Sequence, residues 1–412
     1  MRVRWLCLAA LAVVVPVAVS GCGGVGVSGA SEVTGNQLAI YSSLPLQGPA
    51  ASSSAEIVNG ERLALAQAGG HVGQFKVGYV SLDDANPQTG KLDPEATSTN
   101  AKTAAQDTST IAYLGELESA ATAVSLPLIN AAGILQVSPG SPYVGLTSSL
   151  DAGQDEPERF YPSAKRTFGR LQPGDPAQAR AQVKLMQALG VKSLYVLDDQ
   201  DPFELPLVEI VAGEATRAGI AVVGHDSVAT TAATATAYAS EAEKIERKSP
   251  EAVFLAGGAR PGAAALWRAL HSADPHLLLL GPDTLDTPSF TGSIGAAQAQ
   301  TYLTTPLLPI ADYPPPAAGV LADYRRHFGG SPGPYALYGY EAMSVVLDAI
   351  RRAGRRGNDR PTVIERFFQT HDRDSVLGRY TVLPSGETTL ARYGTDRVSG
   401  GRARFFRAIE LG

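Results

Sequence analysis

Gly329-Gly330-Ser331-Pro332-Gly333 has the G-x-S-x-G spacing of a nucleophile elbow, in which a serine attacks a carbonyl and the next residue donates its backbone N–H to the oxyanion. Proline in that next position has no N–H to give, so the motif cannot do this chemistry. Gly21-x-Gly23-x-x-Gly26 and Gly24-x-Gly26-x-x-Gly29 fit the dinucleotide-binding spacing, but no strand precedes them and no helix follows. The six histidines, His71, His225, His271, His276, His327 and His371, lack metal-ligand spacing. Asp84-x-Asn86-x-Gln88 with Glu95 has part of a calcium loop, yet carries Thr89 where such a loop needs glycine. Asp198, Asp199 and Asp201 follow a strand pattern and read as a solvated loop at a cleft rim. No catalytic constellation and no cofactor site follows from these residues, and the reading is a non-enzyme.

Cys22 is the residue whose surroundings suit a reaction. Arg2 and Arg4 make a positive start, an apolar run broken only by Pro16 extends from Trp5 to Val19, and Val19-Ser20-Gly21-Cys22 resembles the bacterial lipobox, where cleavage before the cysteine is coupled to lipidation of its thiol. The run falls short of the ~20 residues that span a bilayer. Residues 1–21 therefore read as a lipoprotein signal peptide, and 22–36, rich in Gly and Ser, as a flexible tether. The alternative is a secreted protein cleaved nearby, with Cys22 incidental. The chain's other cysteine, Cys7, leaves with the signal peptide, so no disulfide is available.

The body of the chain is that of an ordinary globular protein. Its 412 residues are 44% hydrophobic and 18% charged, with a formal net charge of -6. An acidic balance argues against a nucleic-acid partner. Beyond the tether, strand and helix patterns alternate. Strands at 37–43, 75–82, 111–114 and 134–137 are separated by helices at 54–68, 94–107 and 120–132, and residues 154–174 are irregular. A second alternation has strands at 193–198, 220–224, 252–256 and 277–280 with helices at 176–189, 205–218, 236–247 and 262–272. Helices at 317–328, 335–353 and 362–370, then strands at 379–383, 390–393 and 403–409, complete the chain. Repeated βαβ units predict parallel sheets, and open α/β sheets bind ligands beyond the carboxyl ends of their strands. Two of them facing each other predict a small-molecule cleft.

Leu44-Pro45-Leu46-Gln47-Gly48, Asn59-Gly60, Leu82-Asp83-Asp84, Leu114 to Ser119 and Ser138-Pro139, followed by Asp175 to Gln178, Gly257-Gly258, Gly281-Pro282-Asp283 and Tyr335 to Ala342, resemble in order the leucine/isoleucine/valine-binding family of type I periplasmic substrate-binding proteins of ABC importers. The resemblance implies an α/β fold of two doubly wound parallel-sheet lobes joined by three crossover segments near Leu171, Thr305 and Arg392. Lobe 1 would be residues 37–171 plus 306–392, and lobe 2 residues 172–305 plus 393–412. It implies an extracytoplasmic receptor, lipid-anchored to the outer face of the bacterial cell membrane, that binds an amino acid or similar small polar solute and delivers it to a permease and ATPase complex. A ligand-sensing lipoprotein without transport, or one that has lost its ligand, requires the same cleft and anchor.

By the same resemblance Ser119, with the backbone N–H groups of Ala120 and Ala121, holds a ligand carboxylate at a helix N-terminus, although a plain helix cap has the same geometry. A family threonine falls on Ser141 or Pro142, and Asp283 corresponds to the acid that pairs with the ligand ammonium, or is a solvated turn residue. The chain departs from the family in its pocket. Ala259 followed by Arg260 stands for a tyrosine, Ser52-Ser53-Ser54 for a tryptophan, Phe203 for another tyrosine, and Glu118 for one half of a disulfide. These changes suggest a more polar ligand, anionic if Arg260 faces the cleft, whereas an arginine exposed at a helix start would carry no such meaning.

Overall fold

The computed structural model describes residues 31–231 and 234–411. Cys22, the expected signal peptide and most of the expected tether lie outside them. The first alternation forms β1 (Gln37–Leu44), α1 (Ala51–Gln67), β2 (His71–Val72), β3 (Phe75–Asp83), α2 (Pro94–Gln106), β4 (Thr110–Leu114), α3 (Ser119–Ala131), β5 (Leu135–Ser138) and β6 (Phe168–Arg170). Its six-stranded sheet has the order β2-β3-β1-β4-β5-β6, parallel except for the short edge strand β2.

The chain then enters a second sheet through α4 (Asp175–Leu189), β7 (Ser193–Asp198), α5 (Leu205–Arg217), β8 (Ala221–Ser227), α6 (Ala235–Glu246), β9 (Ala252–Ala256), α7 (Pro261–Ala273), β10 (Leu278–Gly281), α8 (Pro288–Thr291) and β11 (Thr301–Thr305). It returns with α9 (Pro315–Phe328), α10 (Tyr335–Ala353) and α11 (Arg360–Phe368), a small ladder of β12 (Arg373–Asp374) and β13 (Arg379–Tyr380), and then re-enters the second sheet as β14 (Arg392–Ser399) and β15 (Arg402–Glu410). That sheet runs β15-β14-β11-β10-β9-β7-β8.

Side-chain alternation explains the layers. On β1, Leu38 and Ile40 enter the core beneath α1, α9, α10 and α11, while Ala39 and Tyr41 meet Ala101 and Ala104 of α2 on the other face. On the second sheet, Tyr195, Leu197, Val253 and Leu255 pack under α6 and α7, whereas Leu194, Val196 and Phe254 pack under α4 and α5. Strands covered on both faces need apolar residues at every position, and the unbroken runs at β7 and β9 supply them. Each large buried side chain adds ~1.5–3 kcal/mol.

Several segments differ from the pattern read along the chain. Thr301–Thr305, where no strand is expected, forms β11 inside the second sheet, and the short β2 and α8 are also additional. Phe168–Arg170, within a stretch expected to be irregular, forms the edge strand β6. Arg392–Ser399 is longer than its apolar start suggests and runs antiparallel to both β11 and β15, so the second sheet is mixed. Gly400 and Gly401, both at positive φ, make the hairpin turn that allows this.

Helices α1 and α10 pack backbone against backbone. A Cβ on Gly60 would overlap the carbonyl oxygen of Ala336, and one on Gly339 the carbonyl oxygen of Ile57. Backbone cannot yield as a flexible side chain can, so Gly339→Ala is expected to destabilise by about 1–3 kcal/mol through overpacking. An unchanged melting temperature would show that the helices can slide apart.

Candidate functional site

In each sheet the strand order reverses beside its first strand, between β3 and β4 around β1 and between β8 and β9 around β7. The carboxyl ends of these strands from both sheets border one cavity of about 420 Å³. Pro49 and Ala50 follow β1, Leu117 to Ala120 follow β4, Asp201, Phe203 and Glu204 follow β7, and Pro282 to Thr284 follow β10. Asp175 and Gln178 of α4 and Tyr335 of α10 close it. Hollows of about 490 and 570 Å³ exist elsewhere, but the first lies beside Arg180 and Leu390 and the second beside β14 and β15, where no strand ends from both sheets converge.

Ser119 occupies the first turn of α3, and the cap position belongs to Glu118, whose side chain makes no capping bond. The Ser119 hydroxyl instead accepts the Tyr143 N–H at 3.1 Å, which leaves its own proton free to donate. The first helical bond of α3 is made by the Thr122 N–H to Glu118, so the preceding N–H groups of this helix have no helical acceptor. Ser119 and Ala120 line the cavity, while Ala121 is buried behind them. Phe203 lines it too, its ring edge-on to Tyr143 at 5.1 Å. Asp283 accepts a hydrogen bond from Gln178 Nε2 at 3.1 Å, and the same nitrogen lies 3.2 Å from Thr304 Oγ1.

The other expected residues are placed differently. Ser141 is fully buried, its hydroxyl committed to Thr122 Oγ1 at 2.7 Å and the Glu116 carbonyl at 3.1 Å, and it is Pro142 that reaches the cavity. Ser53 is not among the lining residues, whose members on this side are Pro49 and Ala50. Arg260 also lies outside the lining. Its Nε donates to Asp199 at 2.9 Å and its Nη2 to Asp201 at 2.5 Å. Asp198 and Asp199 are correspondingly buried and not part of a solvated loop; Asp198 accepts from Ser227 and pairs with His225. Asn86, in the calcium-like segment, accepts the N–H groups of Gln88 and Thr89, an ordinary Asx turn. Among the described residues no cluster of His, Cys, Asp and Glu is arranged to hold a metal ion, and no helix is long and apolar enough to cross a membrane.

The cavity is acidic. Glu118, Asp175, Asp201, Glu204 and Asp283 line it, and none of the lining residues is Lys, Arg or His. Burial pushes the Asp175 carboxyl up to about 7 against the pull of the nearby Arg170, and pushes Asp283 up to about 6. Glu204 is held well above the ordinary carboxylate range, by burial first and then by the charges of Asp175 and Asp283. Glu61 on α1 is pushed up to about 7 by burial as well. Between the ordinary carboxylate range and these values the folded protein holds protons that the unfolded chain has released, so stability falls as pH rises through that window. The ligand-free protein is expected to melt several degrees higher at about pH 5.5 than at about pH 7.5, as scanning calorimetry would record. A flat or opposite trend would mean that these acids are paired in solution.

Comparison with known proteins agrees with this geometry. Residues 42–394 match the family described as periplasmic binding protein. An amino acid binding protein of Pseudomonas aeruginosa is 23% identical over 346 residues, 83% of this chain and 82% of its own. Among solved structures, a leucine binding protein from Thermotoga maritima superposes with a TM-score of 0.71 at 22% identity, covering 90% of this chain and 99% of the other. A solute binding protein of an ABC transporter from R. palustris, in complex with 4-hydroxybenzoate, gives 0.69 at 15% identity over 91% of this chain and 96% of the other. With its two switch-point sheets around one cavity and a family match over most of its length, the chain belongs to the periplasmic binding protein family.

Proposed function

We propose that this protein is the extracytoplasmic solute receptor of an ABC importer, taking an amino acid or similar small polar solute into the cavity and presenting it to a membrane permease and its ATPase. The observation that carries this reading is the cavity bordered by strand ends of both sheets, the place where a solute touching both would draw them together. Two lobes, residues 37–171 plus 306–392 and 172–305 plus 393–412, would close about the passages near Leu171, Thr305 and Arg392. The free Ser119 proton and the Ala120 N–H suit a carboxylate, Asp283 suits an ammonium, and Phe203 supplies an apolar wall. The amino acid and leucine binding proteins among its relatives support the same ligand class.

A thermal-shift panel of amino acids, amines, benzoates and sugars tests the reading. A true ligand at ~100 times its Kd adds ~2.7 kcal/mol to stability and moves the melting temperature visibly. A panel with no effect would count against a solute receptor. Cys22 would anchor the protein through lipid, so Cys22→Ala is expected to release it from the membrane fraction or leave it unprocessed, and a mutant that fractionates as wild type would remove the anchor from this account.

A further inference from the structure

The cavity has more carboxyl groups than an ordinary zwitterion can answer. An amino acid with a neutral side chain brings one ammonium and one carboxylate, which leaves the net charge of the site unchanged. Asp283 would take the ammonium and the start of α3 the carboxylate. Glu118, Asp175 and Glu204 would remain, and none of them forms an ion pair with a described residue. Asp175 is the most telling of these, because it is buried and lines the cavity, and its one polar partner is the Val144 N–H at 2.8 Å. The nearest basic groups are already used. Arg260 serves two carboxylates, Asp199 and Asp201, and Arg170 is paired with Glu387. Desolvated acids brought together without a cation are costly unless a proton or a ligand supplies the charge.

We propose that the solute is an amino acid with a cationic side chain, whose second positive charge is held between Asp175 and Glu204. This rests on the solute-binding reading above and narrows it. The carboxylate seat at Ser119 and Ala120 favours an amino acid over a plain diamine, and the acidic wall opposite favours a basic side chain over an aliphatic one.

Titration calorimetry of the purified protein with L-lysine, L-ornithine, L-arginine, L-leucine, benzoate and putrescine reads this directly. At least one basic amino acid is expected to bind about tenfold or more tighter than L-leucine, and Glu204→Gln is expected to remove most of that preference. Gln keeps the shape of Glu204 and carries no charge to bury, so the variant should fold, and the wild-type ranking decides the matter even if it does not. L-leucine or benzoate binding as tightly as the basic amino acids would overturn the proposal, as would putrescine binding tighter than all of them. Failure of every basic amino acid overturns it too, whereas the solute-receptor reading fails only if the wider thermal-shift panel is also silent.

Discussion

Arg170→Met is expected to cost about 3 kcal/mol of stability, because it empties a buried site, strands a partly buried acid and frees a loop that the cavity depends on. The Arg170 side chain is fully buried at the end of β6. Its Nη1 donates to the carbonyl oxygens of Ser141 at 2.5 Å and Tyr143 at 2.7 Å, its Nη2 to Thr147 Oγ1 at 2.8 Å, and its Nε to Glu387 at 3.0 Å. Burial alone would raise the Glu387 carboxyl, yet the Arg170 charge and hydrogen bond hold it below its usual range. Methionine replaces only the aliphatic stem of arginine and offers none of these donors. The 141–147 segment carries Pro142 to the cavity wall and sends the Tyr143 N–H to Ser119, so affinity for solute should fall along with stability. Guanidinium titration should show a lower midpoint with an unchanged slope. A loss under about 1 kcal/mol would mean that water replaces the guanidinium. The double substitution Arg170→Met with Glu387→Leu should recover much of the loss, since two matched apolar groups leave no charge unpaired.

Elements that announce themselves locally were readable in the chain. Asp93-Pro94 starts α2 by proline at its first turn and by the aspartate oxygen that takes the Glu95 and Ala96 N–H groups. The apolar run Ala252–Ala256 marks a strand covered on both faces. By contrast β6 is three residues long, too short for any period, and it is a strand because Gln136 to Ser138 lie beside it. The second half of β14, Asp396-Arg397-Val398-Ser399, has a single apolar residue, and its partners are antiparallel strands that no βαβ pattern foretells.

The site divides in the same way. Ser119, Ala120, Phe203 and Asp283 could be named because each follows a strand end that a family resemblance marks. Asp175, Gln178 and Tyr335 lie in segments that the resemblance marks but gain a place at the cavity only in the fold, and Glu204 has no mark at all, since an acid near a helix start looks like a solvated turn residue until a distant segment covers it. Arg260 shows the limit most plainly. Its chemistry suggested an anion site, but two aspartates some sixty positions earlier in the chain consume it, and nothing in the local sequence signals that contact.

The companion expectation concerns Asp283→Asn, which should weaken solute binding by about 1.5–3 kcal/mol, or ~10–100-fold in Kd, while leaving the ligand-free protein as stable or more so. The two signs differ for a physical reason. Without ligand, burial pushes the Asp283 carboxyl up to about 6, so at neutral pH the fold bears a desolvated charge that meets its own backbone N–H and the Gln178 amide but no cation. Asparagine keeps an oxygen to accept that Gln178 bond and sheds the charge. With an ammonium in the cavity, the same charge becomes half of a charge-assisted hydrogen bond that asparagine cannot make. Arg260→Ala should behave in the reverse manner, because Arg260 neutralises the buried Asp199. Its loss should lower the melting temperature and change the affinity for a cationic solute little. An anionic ligand would exchange the two patterns, with tighter binding to Asp283→Asn and a large loss for Arg260→Ala. Calorimetric titration of both variants, each paired with a thermal melt of the ligand-free protein, separates the charge that holds the fold from the charge that holds the solute.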